Sequence, residues 1–436
     1  MARASRADEP DSGHAVPILV PDERGALVLD EAALRSVLLQ DEVRHLPVVV
    51  VAIAGAFRRG KSFLLSLLLR FLEAGGAPGW LGADDRPLSG FAWRGGHQRH
   101  TVGIHMWSRP TCVSLPSGER VAVVLMDTQG AFDDRTEVSE NAAVFALSAL
   151  TSSLHIYNVS KTVGADDLQH LQLFAEYGRV ACEAGGGPPF QRLLLLVRDW
   201  QAPSEAAYGQ AGGQLVLCEA LGEAPGAPDE LRKMRCHVRR SFSDVDCFLM
   251  PYPGKLVATS PSFKGCPRDI DREFLSSVDE LAGLILSPEK LVKKQSGGQV
   301  LTAADLVTHF QVLHEVFKSG RLPQPRSLIE TMSEANHLAG VSRGTTLYAE
   351  EMRQLCPENS PPVEQADLDQ YHRRTVEKVL ACFYSQKKML STGAGAYKEK
   401  LMSGIDGWKK QFFQANKIKK ELAEGPRRTV LQQCAG

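Results

Sequence analysis

The sequence predicts an α/β domain, a mostly parallel sheet flanked by helices and carrying a phosphate-binding loop, followed by an all-α three-helix bundle. Three observations lead there. An apolar run, Val48–Ala54, feeds Gly55-Ala56-Phe57-Arg58-Arg59-Gly60-Lys61-Ser62, and a helix-like run, Phe63–Leu72, follows. Further apolar runs of strand length recur at Val121–Met126, Leu193–Val197 and Cys247–Pro251, with helical patterns between them, the alternation of a parallel sheet. After Leu322-Pro323-Gln324-Pro325, apolar residues recur at three- and four-residue spacing only.

The first stretch reads G-x-x-x-x-G-K-[ST] between strand and helix, the context in which a phosphate-binding loop works. Its glycines allow a tight turn that aims backbone N–H groups inward, and the positive end of the next helix faces the anion. In such a loop Lys61 reaches the β- and γ-phosphates and Ser62 binds Mg²⁺. The bland alternative is a chance match in a Gly-rich turn.

Chain order supplies the remaining parts. Trp93-Arg94-Gly95-Gly96 opens a loop that reaches Thr101-Val102-Gly103 and then an apolar strand. A threonine there can complete the Mg²⁺ shell and sense the γ-phosphate, or be an ordinary loop residue. Val121–Met126 ends in Asp127-Thr128-Gln129-Gly130; an acidic residue closing a buried strand is the second Mg²⁺ element of such folds, and the Gly130 N–H can meet the γ-phosphate. Residue 131 is Ala, so no water-orienting Gln follows that glycine, and charge in the transition state needs another source. Leu193–Val197 ends in Arg198-Asp199-Trp200. A carboxylate at that strand end pairs with the N1 and N2 edge of guanine and is left unpaired by adenine. On the residues alone, a surface Arg–Asp pair competes with that reading. Thr259-Ser260, after Leu256-Val257-Ala258, fits a last loop against the base.

Length and composition frame this. With 436 residues, two or three domains are expected, and 43% apolar residues suit a real core. Net charge of −1 gives no global reason for a nucleic-acid partner. Nine dispersed cysteines without C-x-x-C spacing read as reduced cytosolic thiols rather than a zinc site. No signal peptide and no membrane-length apolar stretch are visible, so the sequence reads as soluble. The expected domains are a disordered tail (1–21), the nucleotide-binding domain (22–320), a proline linker (321–326), the helical bundle (327–422) and a C-terminal tail (423–436). Within the first domain, Asp166–Tyr177 reads as an amphipathic helix and the pattern from Asp269 to Ser319 turns helical. The basic run Lys417-Ile418-Lys419-Lys420 reads as a solvated helix face before a lipid contact.

Together the phosphate loop, Trp93-Arg94-Gly95-Gly96, Asp127-Thr128-Gln129-Gly130, Asp166–Phe174, Val197-Arg198-Asp199-Trp200 and Glu334-Ala335-Asn336 resemble the atlastins, dynamin-superfamily GTPases related to the guanylate-binding proteins, from about Leu29 to Gln414. The resemblance implies GTP hydrolysis with Mg²⁺ and GTP contacts at Gly55, Ala56, Phe57, Arg58, Arg59, Gly60, Lys61, Ser62, Phe63, Gly130, Arg198, Asp199, Thr259 and Ser260. Metal contacts would fall to Ser62, Thr101 and Asp127, the last through water, and catalysis to Lys61, Thr101 and Arg58, an arginine finger acting in cis in place of the absent Gln. It further implies a GTP-dependent homodimer through the GTPase and middle domains, and fusion of endoplasmic reticulum membranes from their cytosolic face. Membrane contact would come only through segments outside this sequence. A slow GTP-binding switch of the guanylate-binding type and a P-loop ATPase remain alternatives. Two departures stand out: Val102 where many atlastins have a second Thr, and the ending Glu424-Gly425-Pro426-Arg427-Arg428 where a lead-in to a membrane hairpin is usual.

Overall fold

The computed structural model describes residues 13–23, 26–56, 59–82, 85–93, 101–129, 138–164, 167, 171, 188, 190–222, 229–318, 325–357, 359–385 and 394–433. The chain divides into two compact units, Met1–Met332 and Ser333–Gly436.

The first unit is built on one sheet. In chain order its strands are β1 (Ala15–Pro21), β2 (Leu27–Leu29), β3 (Val48–Gly55), β4 (Ile104–Trp107), β5 (Thr111–Ser114), β6 (Arg120–Thr128), β7 (Leu154–Ser160), β8 (Phe190–Arg198) and β9 (Phe242–Leu249). Their spatial order is β2-β1-β4-β6-β3-β7-β8-β9, with β5 also pairing β6. From β6 through β9 the neighbours run parallel, while β1, β2, β4 and β5 pair antiparallel. All eight residues of β3 are buried, as a central parallel strand covered on both faces requires. The chain leaves β3 towards β6 on one side and returns as β7 on the other, so the order reverses beside the carboxyl end of β3, the place where open α/β sheets bind ligands.

Helices cover both faces. The earliest are α1 (Glu31–Leu38), α2 (Lys61–Glu73) and α3 (Val138–Thr151). Two more, α4 (Gln210–Leu221) and α5 (Asp229–Ser241), lie between β8 and β9. After β9 come the short α6 (Lys255–Thr259), α7 (Arg272–Leu286) and α8 (Ala303–Phe317). Helix α2 is buried almost all round, packed with α7 and alternate residues of β3, β6 and β8 in one core.

Three expectations need correction. The tail proposed for residues 1–21 reaches too far: Ala15–Pro21 is β1, lying between β2 and β4 with Ile18 and Leu19 fully buried. Its prolines hid it. Pro17 is accommodated where the β1–β4 register shifts, a bulge that spares the missing N–H. The stretch from Asp269 to Ser319 is not uniformly helical, because Gln295–Ser296 and Gln299–Val300 form a hairpin, β10 and β11, around Gly297 and Gly298 at φ +57° and +76°. That Gly-Gly pair between polar residues is the two-residue turn signal. The last helix also outruns Leu422, as described next. The expected amphipathic helix over Asp166–Tyr177 lies almost wholly outside the described residues.

The second unit carries helices α9 (Pro325–Leu355, whose start precedes the division), α10 (Gln365–Ser385) and α11 (Ala394–Gln433). Its core is Tyr348, Met352, Leu368, Val379, Phe383, Leu401 and Ile405. Val341, Val376 and Leu380 pack against it, in line with the three- and four-residue apolar spacing of this part of the chain. Gly344 lets α9 come close: a Cβ there would stand 2.8 Å from Leu401 and 3.1 Å from Val379. Residues 423–433, expected as tail, continue α11. Lys417 and Lys420 pair with Glu421 and Glu364, in keeping with a solvated face. Among the described residues no helix is long and apolar enough to cross a membrane.

Candidate functional site

The site grows from the carboxyl end of β3. Gly55 takes φ +133°, and any Cβ there would lie 2.2 Å from the carbonyl oxygen of Asn158 on β7, so only glycine lets the turn begin. Gly60, at φ +70°, caps α2 in the left-handed region. The loop therefore leaves the sheet and enters the helix through two backbone states that favour glycine, as the motif requires. Phe57 and Arg58 lie outside the described residues. Lys61 is buried, and its ammonium donates to the carbonyls of Gly55 and Ala56, both at 3.2 Å, across the mouth of the loop. Phe63 packs its ring into a cluster with Trp93 (5.1 Å between centroids), Phe263 (5.9 Å) and Phe274 (6.3 Å).

Three residues far apart in sequence meet here. Asp127, at the end of β6, accepts through one carboxylate oxygen from the Ser62 hydroxyl at 2.6 Å and from the Thr101 hydroxyl at 2.8 Å. Its other oxygen is buried and finds no hydrogen-bond partner among the described residues. Burial raises the Asp127 pKa, while Lys61, Ser62 and Thr101 pull it back down. His105, opposite Asp127 across the β4–β6 pair, has its pKa lowered by burial, and its Nε2 lies 3.1 Å from the Val102 carbonyl.

This donor set suits Mg²⁺: two hydroxyls and a carboxylate are hard oxygen ligands, and the orphaned carboxylate oxygen supplies an acceptor with nothing to accept. Among the described residues no group of three or more His, Cys, Asp or Glu side chains is placed to hold a softer metal.

The loop that carries Thr101 and the segment that follows Asp127 on β6 are tied at their roots. Gln129 donates its backbone N–H to the Gly103 carbonyl and accepts the Gly103 N–H on its side-chain oxygen, both at 2.8 Å. Gly103 is obligatory, at φ +73° with a Cβ that would lie 1.8 Å from the Leu19 carbonyl on β1. Gly130, the next residue after Gln129, lies outside the described residues.

Asp199, expected to meet the base, and Lys161 fall at neighbouring strand ends. Asp199, directly after β8, adopts φ +58°, and Lys161, directly after β7, adopts φ +66°. These two non-glycine residues in the left-handed region adjoin each other, since the Lys161 N–H donates to the Arg198 carbonyl at 2.7 Å. Such conformations cost about 1 kcal/mol each and cluster at binding sites. Asp199 is half-buried, whereas Arg198 is buried. Arg198 lies beneath the phosphate loop, its guanidinium 3.4 Å from the Arg59 carbonyl, 3.5 Å from that of Gly60 and 5.4 Å above the Phe274 ring. Burial lowers its pKa to about 10. Thr259 ends α6 with its hydroxyl bonded to the Lys255 carbonyl at 2.8 Å, and the Ser260 hydroxyl lies 3.0 Å from that of Ser262. The expected base loop therefore begins as a helical turn, with Leu256 exposed on it and Tyr252 exposed just before it.

Sequence reasoning missed Asn158 and Lys161. Asn158 left a trace, a lone amide inside the buried run of β7.

Residues 24–295 match the family described as guanylate-binding protein, N-terminal domain. The chain is similar to human atlastin-2 (43% identical over 372 residues, 85% of this chain and 64% of that protein). It is similar to atlastin of Drosophila melanogaster (42% over 422 residues, 95% and 77%) and to atlastin-1 of Macaca fascicularis (40% over 405 residues, 93% and 73%). It spans 66% of the macaque atlastin-2 and 64% of the human one, just under two thirds of their length.

Proposed function

Because the chain belongs to the atlastin family of dynamin-like GTPases, we propose that it hydrolyses GTP to GDP and phosphate with Mg²⁺. The observation that carries this reading is the meeting of Ser62, Thr101 and Asp127 beside Lys61, with one buried carboxylate oxygen left unpartnered. Ser62 and Thr101 would hold the metal directly and Asp127 through water. Mg²⁺, when bound, neutralises the β- and γ-phosphate oxygens.

The chain's own groups do the rest. Lys61 exchanges its two loop carbonyls for phosphate oxygens, bringing a cation already desolvated by burial. The backbone from Gly55 through Phe63 and the Gly130 amide cradle the phosphates. Asp199 accepts from guanine N1 and N2, and the stretch at Thr259 and Ser260 covers the base. Arg58 supplies the transition-state charge that Ala131 cannot, a contribution of about 10³-fold or more for such arginines. Self-association on GTP, and a part in tethering and fusing endoplasmic reticulum membranes, complete the proposal.

Phosphate release from GTP against ATP tests the chemistry. GTP turnover with ATP inert is the expected result, and equal turnover of both removes Asp199 as the base reader. Arg58→Ala should abolish turnover and keep nucleotide binding; unchanged turnover would sink the cis finger. Mass in solution with GDP, a non-hydrolysable GTP analogue and GDP–fluoroaluminate tests the dimer: a monomer in all three states refutes it.

A further inference from the structure

Asn158 sits on β7 directly opposite Gly55, the first residue of the phosphate loop. The residue is 1% exposed, and its side chain makes two opposite contacts. The amide nitrogen donates to the Arg59 carbonyl at 3.2 Å, and the amide oxygen accepts from Arg198 at 3.4 Å. The same Arg198 nitrogen lies 3.4 and 3.5 Å from the Arg59 and Gly60 carbonyls. Two buried polar groups thus grip two consecutive loop carbonyls from the sheet side.

A trans peptide is planar, and its C=O and N–H point in opposite directions. Drawing the Arg59 carbonyl back towards the sheet turns the Gly60 N–H the other way. Holding the Gly60 carbonyl, which also accepts the Leu64 N–H at 3.0 Å, does the same for the Lys61 N–H. Both amides then face the open side of the loop. The gripped carbonyl of Arg59 also belongs to the residue that follows Arg58, and Arg198 immediately precedes Asp199.

Resting on the GTPase reading above, we propose that Asn158 is a positioning residue for hydrolysis. It clamps the Arg59 peptide against Arg198, aims the loop amides at the phosphates, and links the strand that reads the base to the segment that carries Arg58. Ground-state binding is spread over the many loop amides and Lys61, so losing one clamp leaves it nearly intact. The transition state needs donors within a few tenths of an ångström of the oxygens on which charge grows.

The test measures GTP turnover, GDP affinity with a fluorescent GDP, and melting temperature for wild type, Asn158→Ala and Asn158→Asp. Aspartate keeps the size and the acceptor for Arg198 but loses the donor to Arg59, so it carries the test even if the alanine variant fails to fold. The expected result is kcat down by about tenfold or more in both variants, with GDP affinity within about threefold of wild type. Turnover within twofold of wild type, or full rescue by aspartate, overturns the clamp. A fall in kcat that merely tracks lost GDP affinity and lost melting temperature overturns it too. A wild-type protein without GTP turnover overturns the GTPase reading itself, and this inference with it.

Discussion

Replacing Asp127 by Asn separates the proposed metal site from the fold. In the ligand-free protein this carboxylate is buried, accepts from Ser62 at 2.6 Å and Thr101 at 2.8 Å, and leaves one oxygen unpartnered. Burial disfavours its charged form, so removing the charge relieves a desolvation cost, and the amide can still accept from a hydroxyl. The apo protein should therefore melt no lower than wild type. Affinity for the Mg²⁺–nucleotide complex should fall, because an outer-shell carboxylate is worth roughly 10- to 100-fold. With ligand at a hundred times the wild-type Kd, binding stabilises by about 2.7 kcal/mol, whereas after a 100-fold loss the same concentration gives about 0.4 kcal/mol. At roughly 2 °C per kcal/mol for a unit of this size, the Mg²⁺-dependent thermal shift should shrink by about 5 °C. Melting scans with GDP, in Mg²⁺ and in EDTA, read this directly. A variant that keeps the full Mg²⁺-dependent shift, or that melts well below wild type without ligand, refutes the reasoning.

Two further predictions concern how the site is supported. Gly103→Ala forces a left-handed alanine whose Cβ would lie 1.8 Å from the Leu19 carbonyl, and should cost about 2 kcal/mol or more, read as a lower denaturation midpoint; an unchanged midpoint would mean β1 yields without cost. His155, fully buried on β7 with both ring nitrogens unpartnered among the described residues, has its pKa lowered to about 3 by burial. The unfolded chain takes up its proton near pH 6.5 and the folded one only near 3, so stability is fully present above 6.5 and falls as pH drops between these values. From pH 7 to 5 this contributes a loss of about 2 kcal/mol, which His155→Phe should lack in paired urea titrations; identical pH dependence of the two proteins would refute it.

Legibility followed sequence distance. The loop from Gly55 to Ser62 announced itself because its chemistry lies within eight consecutive residues and its flanks show their periodicity directly. Thr101 and Asp127 were singled out from their order along the chain, one ahead of an apolar strand and the other closing one. β1 was lost because its prolines argue against a strand until a bulge absorbs one of them. The β10–β11 hairpin was lost because two-residue strands have no periodicity to read, although Gly297-Gly298 marked its turn.

By itself, then, the sequence determined the G-x-x-x-x-G-K-S turn between a buried strand and a helix, and the succession of an α/β unit and a helical one. Those properties reside in local residue types and spacings. Only the tertiary structure decided that Arg198 lies under the loop while Asp199 takes a left-handed backbone, that Asn158 grips the Arg59 carbonyl, and that Gln129 ties the segment after Asp127 to Gly103. Each of these depends on which strands become neighbours. The parallel registers of β3, β7 and β8 bring residues about a hundred positions apart to one carboxyl edge, and no local pattern encodes that pairing.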